Sequence, residues 1–181
     1  NFCYEEGKPV LKDVSFKVPQ GTTLGVIGGT GSGKSTLMYL LDRLYPVSDG
    51  SIFIGGKDIN EIPPATVRHN IGFVLQEGYL YSGTITENIS AAGANVPFEK
   101  VERAASDACI DENIRAFSSG YETVVGERGV TLSGGQKQRV SIARTLVRKT
   151  PYFIFDDSLS AVDSETDAAI RARLARGFGD A

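Results

Sequence analysis

The 181-residue sequence predicts an α/β fold in which strand–loop–helix alternation is interrupted by a helical insertion. Three observations predict it. Apolar residues alternate with polar ones over residues 11–18, and Thr23, Leu24, Gly25, Val26 and Ile27 form a second strand-like run, with the turn-forming Pro19, Gln20 and Gly21 between them. Leu37, Leu40, Leu41 and Leu44 recur at helical spacing directly after the glycine-rich stretch 28–33. Far downstream, Tyr152, Phe153, Ile154 and Phe155 form a short, wholly apolar run, the pattern of a buried parallel strand.

The remaining elements follow in order. Residues 46–50, bounded by Pro46 and Gly50, break the chain, and residues 51–54 and 70–74 read as short strands. From about residue 84 to 117 the periodicity turns helical, the mark of an inserted helical subdomain. Ser133 precedes a strongly amphipathic helix over roughly 134–148, and a last helix spans roughly 164–176. The expected organisation is one domain over 1–181, with a core of about 1–78 and 149–181 and a helical subdomain of about 79–148.

Composition narrows the function classes. With 41% hydrophobic and 23% charged residues the chain is globular, not disordered. A formal net charge of -3 argues against a dedicated nucleic-acid partner, whose footprint is a basic surplus. Cys3 and Cys109 match no metal-ligand spacing and read as free thiols. No stretch approaches the roughly 20 apolar residues that cross a bilayer.

The strongest motif is Gly28-Gly29-Thr30-Gly31-Ser32-Gly33-Lys34-Ser35, which fits G-x-x-x-x-G-K-[ST] in full between a predicted strand and a predicted helix. Glycines let such a loop curl so that several backbone N–H groups point inward at phosphate oxygens. The helix that follows adds its positive N-terminal end. Lys34 has the reach for the β- and γ-phosphates, and the Ser35 hydroxyl can ligate Mg²⁺. This is a candidate nucleotide site. By itself it does not separate an ATPase from a GTPase or a kinase.

A second motif is the acidic end of the apolar run, Asp156-Asp157. Ligands of open α/β sheets bind beyond the carboxyl ends of strands, so Asp156 is expected near the phosphate loop, holding Mg²⁺ through water. The neighbouring Asp157 is a candidate general base for the attacking water.

Leu132-Ser133-Gly134-Gly135-Gln136, continued by Lys137-Gln138-Arg139, resembles the signature sequence of ABC ATPases. On these residues, with the two motifs above in the right order, the chain is identified as a member of the ATP-binding cassette family over essentially its whole length. The resemblance implies a P-loop NTPase (RecA-like) core with an inserted helical signature subdomain. It further implies that Tyr4 stacks on adenine, that residues 28–36 through Thr36 hold the phosphates, and that Gln76 is the Q-loop glutamine sensing metal and water. Ser160-Ala161-Val162-Asp163 resembles the D-loop. Ser133, Gly134, Gly135 and Gln136 would form a second anion site facing the γ-phosphate held by another ABC ATPase domain, so that two Mg-ATP are sandwiched in a head-to-tail dimer.

Two stretches resemble the exporter branch. Gly126-Glu127-Arg128-Gly129 looks like the X-loop, and residues 81–89 look like the exporter pattern after the Q-loop. The resemblance implies a transmembrane domain touched through the Q-loop and X-loop regions, and a place on the cytoplasmic face of a membrane. Two departures stand out. Position 157 is Asp where active members carry Glu, one methylene longer, as in the degenerate-site subunit of heterodimeric exporters. The family's last strand and switch histidine are also expected beyond Ala181, since the single histidine, His69, lies upstream of Gln76 and reads as a surface residue. Alternatives are a nucleotide-dependent dimerisation module with little hydrolysis, and a soluble ABC ATPase.

Overall fold

The computed structural model describes residues 1–126, 131–159 and 161–177. The described residues divide into two compact units, one within 1–71 and one within 72–177.

In the first unit, β1 (Phe2–Cys3) pairs antiparallel with β2 (Pro9–Leu11), Phe2 facing Leu11. Helix α1 (Lys34–Leu41) follows the glycine-rich loop and ends before Leu44, because Arg43 adopts a left-handed backbone (φ 53°). The hairpin of β3 (Phe53–Ile54) and β4 (Lys57–Asp58) turns through Gly55 and Gly56, both at positive φ as such a two-residue turn requires. A 3₁₀ turn (Ile59–Glu61) and helix α2 (Pro64–Asn70) complete the unit. Leu11, Leu40, Ile59, Val67 and Ile71 are among its buried apolar residues. The C-terminal carbonyls after α1 are satisfied by Arg68, which donates to Asp42 O and Arg43 O, while Arg43 itself donates to Ile59 O and Ile62 O.

The strands expected at 11–18 and 23–27 are not formed. Only Leu11 belongs to a strand, and residues 12–33 carry neither ladder nor helix. Val14, Phe16, Val18, Leu24 and Val26 stay partly exposed, and Ile27 is 99% exposed. Alternation and β-branching favour extended backbone, but a strand also needs a neighbour to take its N–H and C=O groups, and the pattern is silent about the neighbour.

In the second unit, β5 (Ile71–Val74) and β8 (Tyr152–Phe155) are hydrogen-bonded neighbours. Gly72 lies against Phe153 and Val74 O accepts from Asp156 N at 3.0 Å, so residue numbers rise together and the pair runs parallel. Contrary to the expectation of full burial, Tyr152 is exposed and the rest of β8 is half-buried. β6 (Gly83–Thr84) pairs antiparallel with β7 (Val124–Val125).

Helices α3 (Ile85–Ser90), α4 (Phe98–Asp107), α5 (Asp111–Arg115) and α6 (Gly134–Leu146) supply most of the core, with a 3₁₀ turn at Gly120–Glu122 and a final helix α7 (Ser164–Gly177). The helices expected near 134–148 and 164–176 are α6 and α7. Ile85, Ile89, Val101, Ala105, Val140 and Ile142 pack together because α3 and α4 both turn their apolar faces to α6.

Candidate nucleotide site

The phosphate-loop residues lie in the first unit. Ser32 N donates to Gly29 O at 3.2 Å, and Gly31 (φ 76°) and Gly33 (φ 92°) sit in the left-handed region. Gly33 is the N-cap of α1. It brings no capping side chain, and no acidic residue stands in the first turn. An α-helix N-terminus has unpaired N–H groups and a partial positive charge, so this one suits an anion.

The Lys34 ammonium folds back over the loop, donating to Gly28 O at 2.6 Å and Gly29 O at 3.0 Å. Thr36, buried in the first turns of α1, accepts a 2.9 Å hydrogen bond from the Tyr4 hydroxyl. Tyr4 is 48% exposed and meets Phe2 and Tyr45 edge-on, at centroid distances of 5.0 and 4.9 Å. Tyr4, Thr36, Lys34 and the glycine loop therefore share one end of α1.

Gly33 disfavours substitution for two reasons. Its positive φ disfavours any L side chain, and a Cβ there would lie 2.7 Å from the Leu11 side chain and 3.3 Å from Val10 O. Gly33→Ala is expected to lower stability by about 2 kcal/mol and to abolish measurable ATP binding, read by chemical denaturation and by titration with nucleotide. Wild-type affinity in this variant would contradict the assignment of the loop.

The other candidate residues lie in the second unit. Gln76 is exposed, two residues after the end of β5. Asp156 is buried at the end of β8, and its backbone N–H bonds to Val74 O, so Gln76 and the acidic pair extend from neighbouring strand ends. Asp157 is exposed and holds a left-handed backbone (φ 48°), a conformation Asp and Asn tolerate better than longer side chains do. Oxygen donors of the Ser35, Gln76 and Asp156 type suit a hard cation such as Mg²⁺. Among the described residues no cluster of three or more His, Cys, Asp or Glu forms a metal cage, and Mg²⁺ is commonly held by one or two protein groups plus phosphate.

Ser133 caps α6 in a reciprocal box. Its Oγ accepts from Gln136 N at 3.2 Å, and Gln136 Oε1 accepts from Ser133 N at 2.9 Å. Gly134 has open space around it, whereas a Cβ on Gly135 would stand 3.0 Å from Ala161 O. The signature turn thus packs against the D-loop segment through Gly135. Ser160 and Glu127-Arg128-Gly129 of the X-loop lie outside the described residues. His69 is exposed on α2, and both cysteines are free.

The buried contacts of three residues were missed by sequence reasoning. Asn88, only 1% exposed, accepts from Tyr81 N and Arg144 Nη2 through its Oδ1 and donates to Tyr81 O and Thr84 O through its Nδ2. Arg144 on α6 also donates to Asn88 O and Tyr79 O, and its guanidinium lies 4.9 Å over the Tyr81 ring. Burial pulls the pKa of Arg144 below the ordinary arginine value. Buried Gln138 donates to Leu75 O. A polar residue inside an amphipathic helix gives no signal of such partners. The capping boxes of Thr84 with Glu87 and Ser133 with Gln136 do carry a spacing signal, Ser/Thr followed three residues later by Glu/Gln.

Comparison with known proteins shows the family. The sequence profile of the ABC transporter family matches residues 11–160. ATP-binding cassette sub-family B member 6 of Homo sapiens is 44% identical over 176 residues, which is 97% of this chain and 21% of that protein. The uncharacterized ABC transporter ATP-binding protein YfiB of Bacillus subtilis is 46% identical over 171 residues, 94% of this chain and 30% of that protein. A solved bacterial Atm1-family ABC exporter with ATP bound superposes with a TM-score of 0.92 at 38% identity, covering 99% of this chain and 32% of that one. The chain thus spans between a fifth and a third of the relatives it matches. Among the described residues no helix is long and apolar enough to cross a membrane. The fold is that of an ABC ATPase, and the chain belongs to the ABC transporter family.

Proposed function

We propose that this chain is the ATP-binding and ATP-hydrolysing motor domain of a membrane ABC exporter, pairing head-to-tail with a second ABC ATPase domain around Mg-ATP. The observation that carries the reading is the Lys34 ammonium set over a glycine loop that opens α1 with no acidic residue in its first turn. The exporter assignment rests on the likeness to an Atm1-family exporter and on the exporter-like stretch after Gln76. A transmembrane domain, contacted through the Q-loop and X-loop regions, would anchor the motor at the cytoplasmic face of a membrane.

The reaction is in-line attack of water on the γ-phosphorus. A new P–O bond forms, the bond to the bridging oxygen breaks with its electron pair leaving on ADP, and one water proton passes to a base. Lys34 and the loop amides hold the phosphates, Tyr4 holds the adenine, and Ser133, Gly134, Gly135 and Gln136 face the γ-phosphate of the partner's nucleotide. Ser35, Gln76 and Asp156 would hold Mg²⁺, which when bound offsets charge building on the phosphate oxygens. Asp157 receives the water proton, at a reach one methylene shorter than Glu.

That shorter reach supports a second reading, in which the chain binds ATP chiefly to hold a dimer, as in the degenerate-site subunit of a heterodimer. Both readings require nucleotide. Equilibrium dialysis of ATP against the full chain is expected to show saturable binding of one nucleotide per chain, tightened by Mg²⁺. Absence of saturable binding would overturn both.

A further inference from the structure

The candidate mechanism gives no role to the most deeply buried polar side chain of the signature helix. Gln138, in the second turn of α6, is 1% exposed, and its Nε2 donates to Leu75 O at 3.0 Å. That carbonyl belongs to the peptide joining Leu75 to Gln76. Two residues beyond Gln76, Gly78 lies so close to the same turn that a Cβ would stand 2.8 Å from the Gln138 Cα and N and from the Lys137 carbonyl carbon. Residues 75 and 78 are therefore both fastened to one turn of α6, and the exposed Gln76 and Glu77 are the span between the two fastenings. On the strand side, Val74 O is tied to Asp156 N.

We infer that Gln138 is a positioning residue for Gln76, joining the signature helix to the Q-loop so that the Ser133–Gln136 end of α6 and the Gln76 carboxamide move as one piece. The inference rests on the proposed role of Gln76 toward metal and water. An apolar side chain of similar volume would fill the same space, so what the amide specifically adds is its bond to Leu75 O. Losing that bond leaves a carbonyl short of a partner and frees the peptide that aims Gln76. Gly78 acts in the same sense through contact, because any side chain there pushes residues 77–79 off the helix.

The test uses the full chain with Gln138→Met, which keeps the volume and removes the donor, and Gly78→Ala as a second, independent handle. Amide hydrogen exchange is measured without nucleotide over residues 75–79, with α4 as the internal reference because its Val101, Ala104 and Ala105 share the apolar cluster of Val140 and Ile142 and take no part in the Gln138 bond. Exchange over 75–79 is expected to rise about tenfold in each variant while that of α4 stays unchanged. Turnover of Mg-ATP is then compared for wild type, Gln138→Met, Gln76→Ala and the double variant. The expected result is a kcat lower by about tenfold with KM within about threefold, and no further loss when Gln138→Met is added to Gln76→Ala.

Unchanged exchange over 75–79 would overturn the inference. So would a loss of kcat that recurs in full in the Gln76→Ala background, since that is the additivity of a residue acting elsewhere. A wild-type chain without turnover would remove the ATPase reading, and the exchange result would still decide whether Gln138 positions the loop.

Discussion

Lys34→Ala is expected to lower Mg-ATP turnover by about 10²–10³-fold or more. Lys34 is the one cationic side chain within residues 28–36. Its ammonium already lies across the loop, bonded to the carbonyls of Gly28 and Gly29, so it holds the loop's shape as well as supplying the charge. Truncation removes both contributions. Two carbonyls lose a charge-assisted donor, and the γ-phosphate loses a fixed positive group where negative charge builds in the transition state. Lys34→Arg should not rescue, because a planar guanidinium differs in shape and reach from a compact ammonium. The measurement is steady-state phosphate release with a parallel binding titration. Turnover within threefold of wild type would mean that the phosphates are held elsewhere.

The second large effect is on stability. Asn88→Ala is expected to destabilise the second unit by about 3 kcal/mol, read as a lower denaturant midpoint. The side chain makes four hydrogen bonds at 2.8–3.0 Å from a position almost closed to solvent. Its removal takes a partner from Tyr81 N and Tyr81 O, the second of two donors from the N-cap carbonyl Thr84 O, and one acceptor from the partly buried Arg144 guanidinium. The Arg144→Ala variant should cost a similar amount, since Asn88 O and Tyr79 O then lose their donor. Because both residues belong to one network, the double variant should lose clearly less than the sum of the two. Strict additivity would show that they stabilise the fold independently.

These residues also show what could be read from the sequence and what could not. Residues 28–35 were legible because their chemistry is local: the spacing of Gly33, Lys34 and Ser35 fixes a loop and a helix start whatever surrounds them. The same holds for α6, with its periodicity and leading Ser133, and for α7; the structure adds that Asp163 Oδ1 accepts from Thr166 N at 2.9 Å at the start of α7. Residues 12–27 misled because pairing is a property of a partner segment, which alternation does not specify. Asn88, Gln138 and Arg144 were invisible for a related reason. Asn88 does bond locally to Tyr81 and Thr84, but the bonds joining Asn88 to Arg144 and Gln138 to Leu75 reach across 56 or more residues, and nothing in the nearby sequence marks them. The left-handed backbone at Asp157 was hidden too, and it bears on the base. Glu there would reach farther toward water but sit less comfortably, at a cost of about 1 kcal/mol.

The central claim, that this chain hydrolyses Mg-ATP in a shared dimer site with Asp157 as its short base, is tested most directly by turnover measured against protein concentration for wild type and Asp157→Glu. The account predicts that turnover per chain rises with concentration as dimers form, and that Glu, by moving the carboxylate about 1 Å or more toward the water, raises the plateau at least tenfold despite its backbone cost. Turnover independent of concentration, with Asp and Glu equally fast, would contradict it.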